Sequence, residues 1–317
     1  MANAAIVELD AQYRQLREEC GLLERSGRGK LLISGPDAAE YLQGQLTNDV
    51  VALSPGEGQY AALLDRKGHL QADMRVLRLA PDEVWIDTEP EGADAARRHL
   101  QMFKVGHQVE VTDLGAERAI LSLIGPRSAE VAGTPPFPEY ACAAVSVAGV
   151  ECLAAGSRDG VDLIAAAAAA QGLREALLSA GAVEVSPGAV EILRIEAGLP
   201  RFGAEMGAET MPAEAGIVED AVSFTKGCYI GQETVARLHY KGRPNRRLVG
   251  LRLSGTAQAG AAIRLGEKEV GTLGAGCVSP ALGPIGLAIV RREAEPGEQV
   301  SVGEDGVTAR LVDLPFG

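Results

Sequence analysis

Ile6, Leu9, Tyr13, Leu16 and Cys20 recur in steps of three and four, which places them on one helical face and predicts a helix over residues 5–20. Gly21, a short apolar pair and the loop-like run ERSGRG follow. From Lys30 the pattern changes. KLLISG reads as a strand, and PDAAEYLQGQL as a helix opening with proline and an acidic first turn. GQYAALLD and ADMRVLRL are strand-like runs bracketing a hairpin-like turn at Arg66-Lys67-Gly68-His69. EVWIDTE is a further strand, GADAARRHLQMF a helix and QVEVTDL a last strand. Strand, helix, three strands, helix, strand is the order of an α+β sandwich with helices on one sheet face.

A second unit of similar size starts near Ala119. AILSLIG is a strand, PRSAEVAG a short helix and TPPFPEY a loop. VSVAGVECLAAG predicts a hairpin turning near Gly149, VDLIAAAA a strand, and AAQGLREALLSAG and PGAVEILRIEAG two helices, the latter with Pro187 near its start. From about Asn245 short β-type runs alternate with glycine turns and no helical period appears, the pattern of a small β-barrel or sandwich.

The chain has 317 residues, 46% apolar and 23% charged, enough for two or three domains with real cores. Its net charge of −13 argues against a general binder of nucleic acid or membrane surfaces. One local basic group stands against that average: Arg237, His239, Lys241, Arg243, Arg246 and Arg247. It suits either a solvated linker or the anionic tail of a small ligand. Five scattered cysteines form no disulfide framework, and the N-terminus has no basic region followed by an apolar core. The expectation is a cytoplasmic, monomeric protein. Four histidines without ligand spacing argue against a built-in metal site.

Chemistry concentrates in Lys226-Gly227-Cys228-Tyr229-Ile230-Gly231-Gln232-Glu233. Helical period starts only after Gly231, so a tight loop delivers Cys228 and Tyr229 ahead of a short anchoring helix. Lys226 and the nearby helix start both favour a thiolate at Cys228. The other reading is a small buried packing residue. Glu196 lies near the end of an apolar helix, where the dipole disfavours a carboxylate. It pairs with Arg194 or Arg201, or it receives two parallel N–H donors from a heterocycle. Asp73 is an acid at a strand start beside a turn, where edge solvation is the plain reading. Gly44-Gln45-Leu46-Thr47-Asn48-Asp49 is a polar helix exit that suits a turn.

Together, KGCYIGQETVAR, RIEAGLPRFGAE, MPAEAG and GPDAAEYLQGQLTNDV resemble the folate-binding proteins of the YgfZ type, relatives of the glycine cleavage aminomethyltransferase (T-protein). The resemblance covers nearly the whole chain; KGCYIGQE belongs to the YgfZ branch, RIEAGLP to the superfamily. It implies an α+β three-domain ring: two ferredoxin-like sandwich units and a C-terminal small β-barrel. The folate-binding domain takes residues 1–28 and 115–243, the ferredoxin-like insert 29–114 and the barrel 244–317. It implies tetrahydrofolate or a derivative as the cofactor. Glu196 then holds the pterin edge, and Asp73 lies near the reacting nitrogen as a catalytic proton partner. Lys226, Cys228 and Tyr229 match the YgfZ signature, with Cys228 and Lys226 as reactive groups and Tyr229 and Arg237 beside the cofactor. The function implied is support of iron–sulfur cluster assembly or repair and of cluster-dependent tRNA modification, with iron–sulfur proteins as clients. A folate-dependent aminomethyltransferase and a non-catalytic folate-binding regulator stand as alternatives. Where the transferase has an Asp-Val-Ser-His-Met-Gly run, this chain has Leu23-Glu24-Arg25-Ser26-Gly27-Arg28-Gly29.

Overall fold

The computed structural model describes the backbone of residues 2–316 and the side chains of residues 8–316. Ile6, the first position of the predicted stripe, lies outside the described side chains. The helix runs Ala2–Glu18 and buries Tyr13 and Leu16, with Cys20 buried just beyond its end. Contacts divide the chain into two compact units: residues 1–63, 72–190 and 225–229, and residues 64–71, 191–224 and 230–317.

The first unit holds two sheets. One has the strand order Gly58–Leu64, Leu70–Ala80, Glu83–Thr88, Gly29–Ser34, Glu110–Asp113. The other runs Val183–Glu184, Gly21–Glu24, Arg118–Ile124, Gly160–Ala166, Val150–Ser157, Cys142–Val147. The predicted elements are present, with two short strands more than expected, Gly21–Glu24 and Val183–Glu184. The apolar pair after Gly21 is a strand, antiparallel to Leu121–Ile124 and parallel to Val183–Glu184. Two apolar residues are too short a run to show a period, so only pairing reveals it. Pro36 precedes its helix, which starts at Ala38, and the alanine run leaves the sheet at Ala166 into a short 3-10 turn.

Alternation decides what each face meets. Ala72, Met74 and Val76 join Ile33, Val84 and Ile86 under the helices Ala38–Gln45 and Pro90–Met102. On the opposite face Leu77 and Trp85 pack against Ile120, Ala155 and Ile164 of the second sheet. That sheet's far face carries Leu121, Leu123, Val161 and Leu163 under Val131, Leu173 and Leu177 of its own helices. The layers are helices, sheet, sheet, helices.

The second unit is built on a closed barrel, in the order Arg246–Leu253, Gly283–Arg291, Lys268–Ser279, Ala262–Leu265, Gln299–Val302, Val307–Val312, with the last strand returning to the first. Its interior holds Val249, Leu251, Ile263, Val290, Val300 and Leu311. Ile195, one residue before the end of the helix Pro187–Glu196, packs on Ala275, Ile285 and Leu287 of the wall. No helix among the described residues is long and apolar enough to cross a membrane.

Candidate functional site

Asp73 is not a solvated edge residue. It is 9% exposed and shares the strand face of Arg75 and Leu77 that looks toward the second sheet. Its Oδ2 accepts from the Tyr60 hydroxyl at 2.7 Å, while Oδ1 is buried with no hydrogen-bond partner. Burial raises the Asp73 pKa and Glu89 adds to the rise; the Tyr60 hydrogen bond and the Arg28 charge oppose it. The result is a carboxyl group kept closer to its protonated form than an exposed aspartate, with one oxygen unsatisfied.

A buried ionic chain, which sequence reading missed, supports it. Asp87 accepts from Arg28 Nε and Arg75 Nε at 2.8 Å each and from the Trp85 indole at 2.9 Å. Arg75 continues to Asp162 at 2.6 Å, and Asp162 accepts from Ser122 at 2.6 Å. Arg28 also pairs with Glu89. The arginines hold the Asp87 carboxyl down at about 2, against the effect of burial. Arg75 and Asp162 thus tie the two sheets together through charge. The available signal was the period-two polar positions 73 and 75, but alternation does not say whether a polar face meets water or another sheet.

Lys226 is buried, and its ammonium donates to the carbonyls of Gln43, Leu46 and Asn48 at 2.6, 2.6 and 3.1 Å. Those carbonyls belong to the polar exit of the helix Ala38–Gln45. There Gln43 Oε1 accepts from the N–H groups of Val50 and Val51, Asn48 Nδ2 donates to Tyr60 O, and Thr47 Oγ1 accepts from Ala62 N. The QGQLTNDV stretch is therefore a self-bonded turn sealed by a cation from far along the chain. Burial lowers the Lys226 pKa to about 8, opposed by Asp49. Its Nζ lies 5.1 Å from the centre of the Tyr229 ring, and burial raises the Tyr229 phenol to about 12. Cys228, between them in sequence, is exposed; Cys20, Cys142 and Cys152 are buried and Cys277 half-buried.

In the second unit Glu196 ends its helix and accepts from the hydroxyl of buried Ser279, which in turn accepts from the N–H groups of Ala281 and Leu282. Arg194 forks instead between Glu191, at 2.7 and 2.9 Å, and Glu205, at 2.8 and 3.1 Å, and Arg201 reaches Glu191. Glu214 of MPAEAG is buried and binds Arg246 through two contacts of 2.9 and 2.7 Å. The basic group is thus divided. Arg246 is engaged with Glu214, and Arg247 donates to Ala294 O. His239 stacks on Phe224, and Arg237, Lys241 and Arg243 are exposed. Lys226, Cys228, Tyr229 and Asp73 fall in the first unit; Glu196 and Arg237 fall in the second. Among the described residues no group of three or more His, Cys, Asp or Glu is arranged to hold a metal ion.

Residues 4–226 match the GCVT N-terminal domain, and residues 246–316 match the glycine cleavage T-protein C-terminal barrel domain. The chain belongs to the glycine cleavage T-protein family. Among its relatives is the aminomethyltransferase of Rubrobacter xylanophilus, 33% identical over 97% of this chain and 86% of that protein. An aminomethyltransferase of Listeria monocytogenes is 30% identical over 97% of this chain and 89% of its own length. The crystal structure of glycine cleavage system aminomethyltransferase T from Bartonella henselae superposes with a TM-score of 0.88 at 25% identity, covering 98% of this chain and 89% of that one. The α+β architecture with a closed C-terminal barrel is the T-protein fold.

Proposed function

We propose that this T-protein family member binds tetrahydrofolate and transfers a one-carbon, aminomethyl-type unit to it, with Asp73 as the proton partner of the reacting amine. The observation that carries the reading is the buried, unpartnered Oδ1 of Asp73. A buried carboxyl oxygen without a hydrogen-bond donor costs about 1–3 kcal/mol, which an amine donor would recover. The names of the aminomethyltransferase relatives support the same reading. Bound tetrahydrofolate supplies the nucleophilic amine that accepts the one-carbon unit. Asp73, its pKa raised by burial, holds or returns the proton of that amine. Glu196, which accepts from Ser279, is the proposed acceptor for the aminopyrimidine edge. Tyr229 and exposed Arg237 are further proposed cofactor contacts. We keep residues 1–28 with 115–243, 29–114 and 244–317 as the proposed domain boundaries.

Calorimetry with tetrahydrofolate, followed by an assay of glycine synthesis from an aminomethyl-loaded lipoyl carrier, tests this. Binding with turnover that disappears in Asp73→Asn supports it; a folded protein that does not bind tetrahydrofolate overturns it.

One observation favours a second reading, in which the chain acts as a YgfZ-type factor for iron–sulfur proteins. Cys228 is the exposed cysteine, and it lies within KGCYIGQE. Folate binding without glycine synthesis, combined with loss of cluster-enzyme activity in cells carrying Cys228→Ser, would select this reading over the transferase.

A further inference from the structure

The two oxygens of the Asp73 carboxyl group are not equivalent. Tyr60 lies on Gly58–Leu64, the edge strand beside Leu70–Ala80, and its hydroxyl occupies Oδ2 at 2.7 Å. Oδ1 is buried and has no donor. We propose that Tyr60 is a positioning residue for Asp73: by holding Oδ2 it fixes the carboxyl rotamer and leaves Oδ1 as the oxygen that exchanges the proton. The inference deepens the folate-transfer reading and rests on it for the identity of the amine.

Tyr60 does not itself exchange the proton. Burial, the Asp73 charge and Tyr140 keep its phenol well above the usual range, so it stays a donor. The other charges that reach Asp73 are Glu89 and Arg28. Arg28 is engaged by Asp87 and Glu89, so it does not convert Asp73 into an ion pair. In the step itself an N–H bond of the substrate ammonium breaks and an O–H bond forms at Oδ1. The electron pair stays on nitrogen, and the reverse transfer restores the carboxylate. A rotating carboxyl group would present either oxygen and lose alignment; the phenol removes that freedom.

The test is Tyr60→Phe, read in two independent ways. In the ligand-free protein, carbon-13 NMR of labelled aspartate, with Asp73→Asn as the assignment control, follows the Asp73 titration. Loss of a donor to the carboxylate moves it upward by roughly one pH unit. With tetrahydrofolate and the loaded carrier, kcat is expected to fall by roughly tenfold or more while the folate KM changes less than about threefold. The acid limb of the pH profile moves up with the Asp73 titration. Tyr60→Gln, which restores an N–H donor, recovers part of kcat and keeps the test open if the Phe variant folds poorly. An unmoved Asp73 titration, or an unchanged kcat, overturns the positioning role. If the native protein neither binds nor turns over tetrahydrofolate, the folate reading fails, and the NMR arm still decides whether Tyr60 governs Asp73.

Discussion

The ammonium of Lys226 donates to the carbonyl of Leu46 at 2.6 Å, joining residues 180 apart in sequence. Together with the Gln43 and Asn48 carbonyls, this makes Lys226 the seal of the QGQLTNDV turn. Lys226→Met removes all three donors from a buried site. It is expected to cost about 1–3 kcal/mol, measured as a lower urea midpoint with an unchanged m-value. Lys226→Arg is not expected to rescue it, since a planar fork does not match three converging carbonyls. A variant as stable as the parent would show the turn to be self-sufficient.

Cys228 should alkylate faster than Cys20, Cys142, Cys152 and Cys277 in the folded protein, because it alone of the five is exposed. Burial pushes Cys20 and Cys152 up to about 11 and Cys277 to about 12, which starves them of thiolate. Mass-spectrometric rates near pH 7.5 should separate Cys228 from each of the others by more than about tenfold. A slower Cys228 would mark it as a packing residue.

Acid should unlock the ionic chain between the two sheets. The folded-state pKa of Asp87 is about 2, below its ordinary 3.8, so its stabilisation is fully present above about pH 4 and fades as pH falls through 2. The shift corresponds to about 2 kcal/mol. The stability gap between native protein and Asp87→Asn should therefore be constant from pH 7 to 5 and shrink below about pH 4. Urea melts across that range read it directly, and a constant gap down to pH 2 would contradict it.

Gly231 has φ of +86° and opens the helix Gln232–Lys241 against the turn at Asp65–His69. A Cβ there would meet the Asp65 carbonyl oxygen at 2.6 Å. Gly231→Ala thus combines left-handed strain with a backbone clash, at a cost of roughly 1–3 kcal/mol. Gly227, with nothing near a built Cβ, should accept Ala with little loss. Thermal melts of the two variants side by side check the contrast.

Glu196→Ala is expected to weaken tetrahydrofolate binding roughly 5- to 150-fold, the equivalent of about 1–3 kcal/mol for unpaired donors of the pterin. Calorimetry on the folded variant measures it, and unchanged affinity would remove Glu196 from the site.

Much of the architecture was legible along the chain, because alternation and helical spacing are local. Strand-helix order, the glycine-punctuated barrel, and the loop before Gly231 all follow from neighbours within ten residues. The strand Gly21–Glu24 was not legible, because its evidence is pairing with Arg118–Ile124 rather than any pattern of its own. The residues proposed for the site were visible as types: an acid at 73, a lysine two places before a cysteine, a glutamate ending an apolar helix. Their partners were not. Tyr60 reaches Asp73 because two strands are neighbours in one sheet, and Arg75 reaches Asp162, 87 residues away, because two sheets stack face to face. Lys226 is set beside Cys228 in sequence, yet its ammonium is taken by three carbonyls of a turn near residue 46. Periodicity tells which side chains share a face, but which faces are dry is decided only when layers close on one another. Burial then sets whether a polar atom finds a partner or, as at Asp73 Oδ1, is enclosed without a protein donor.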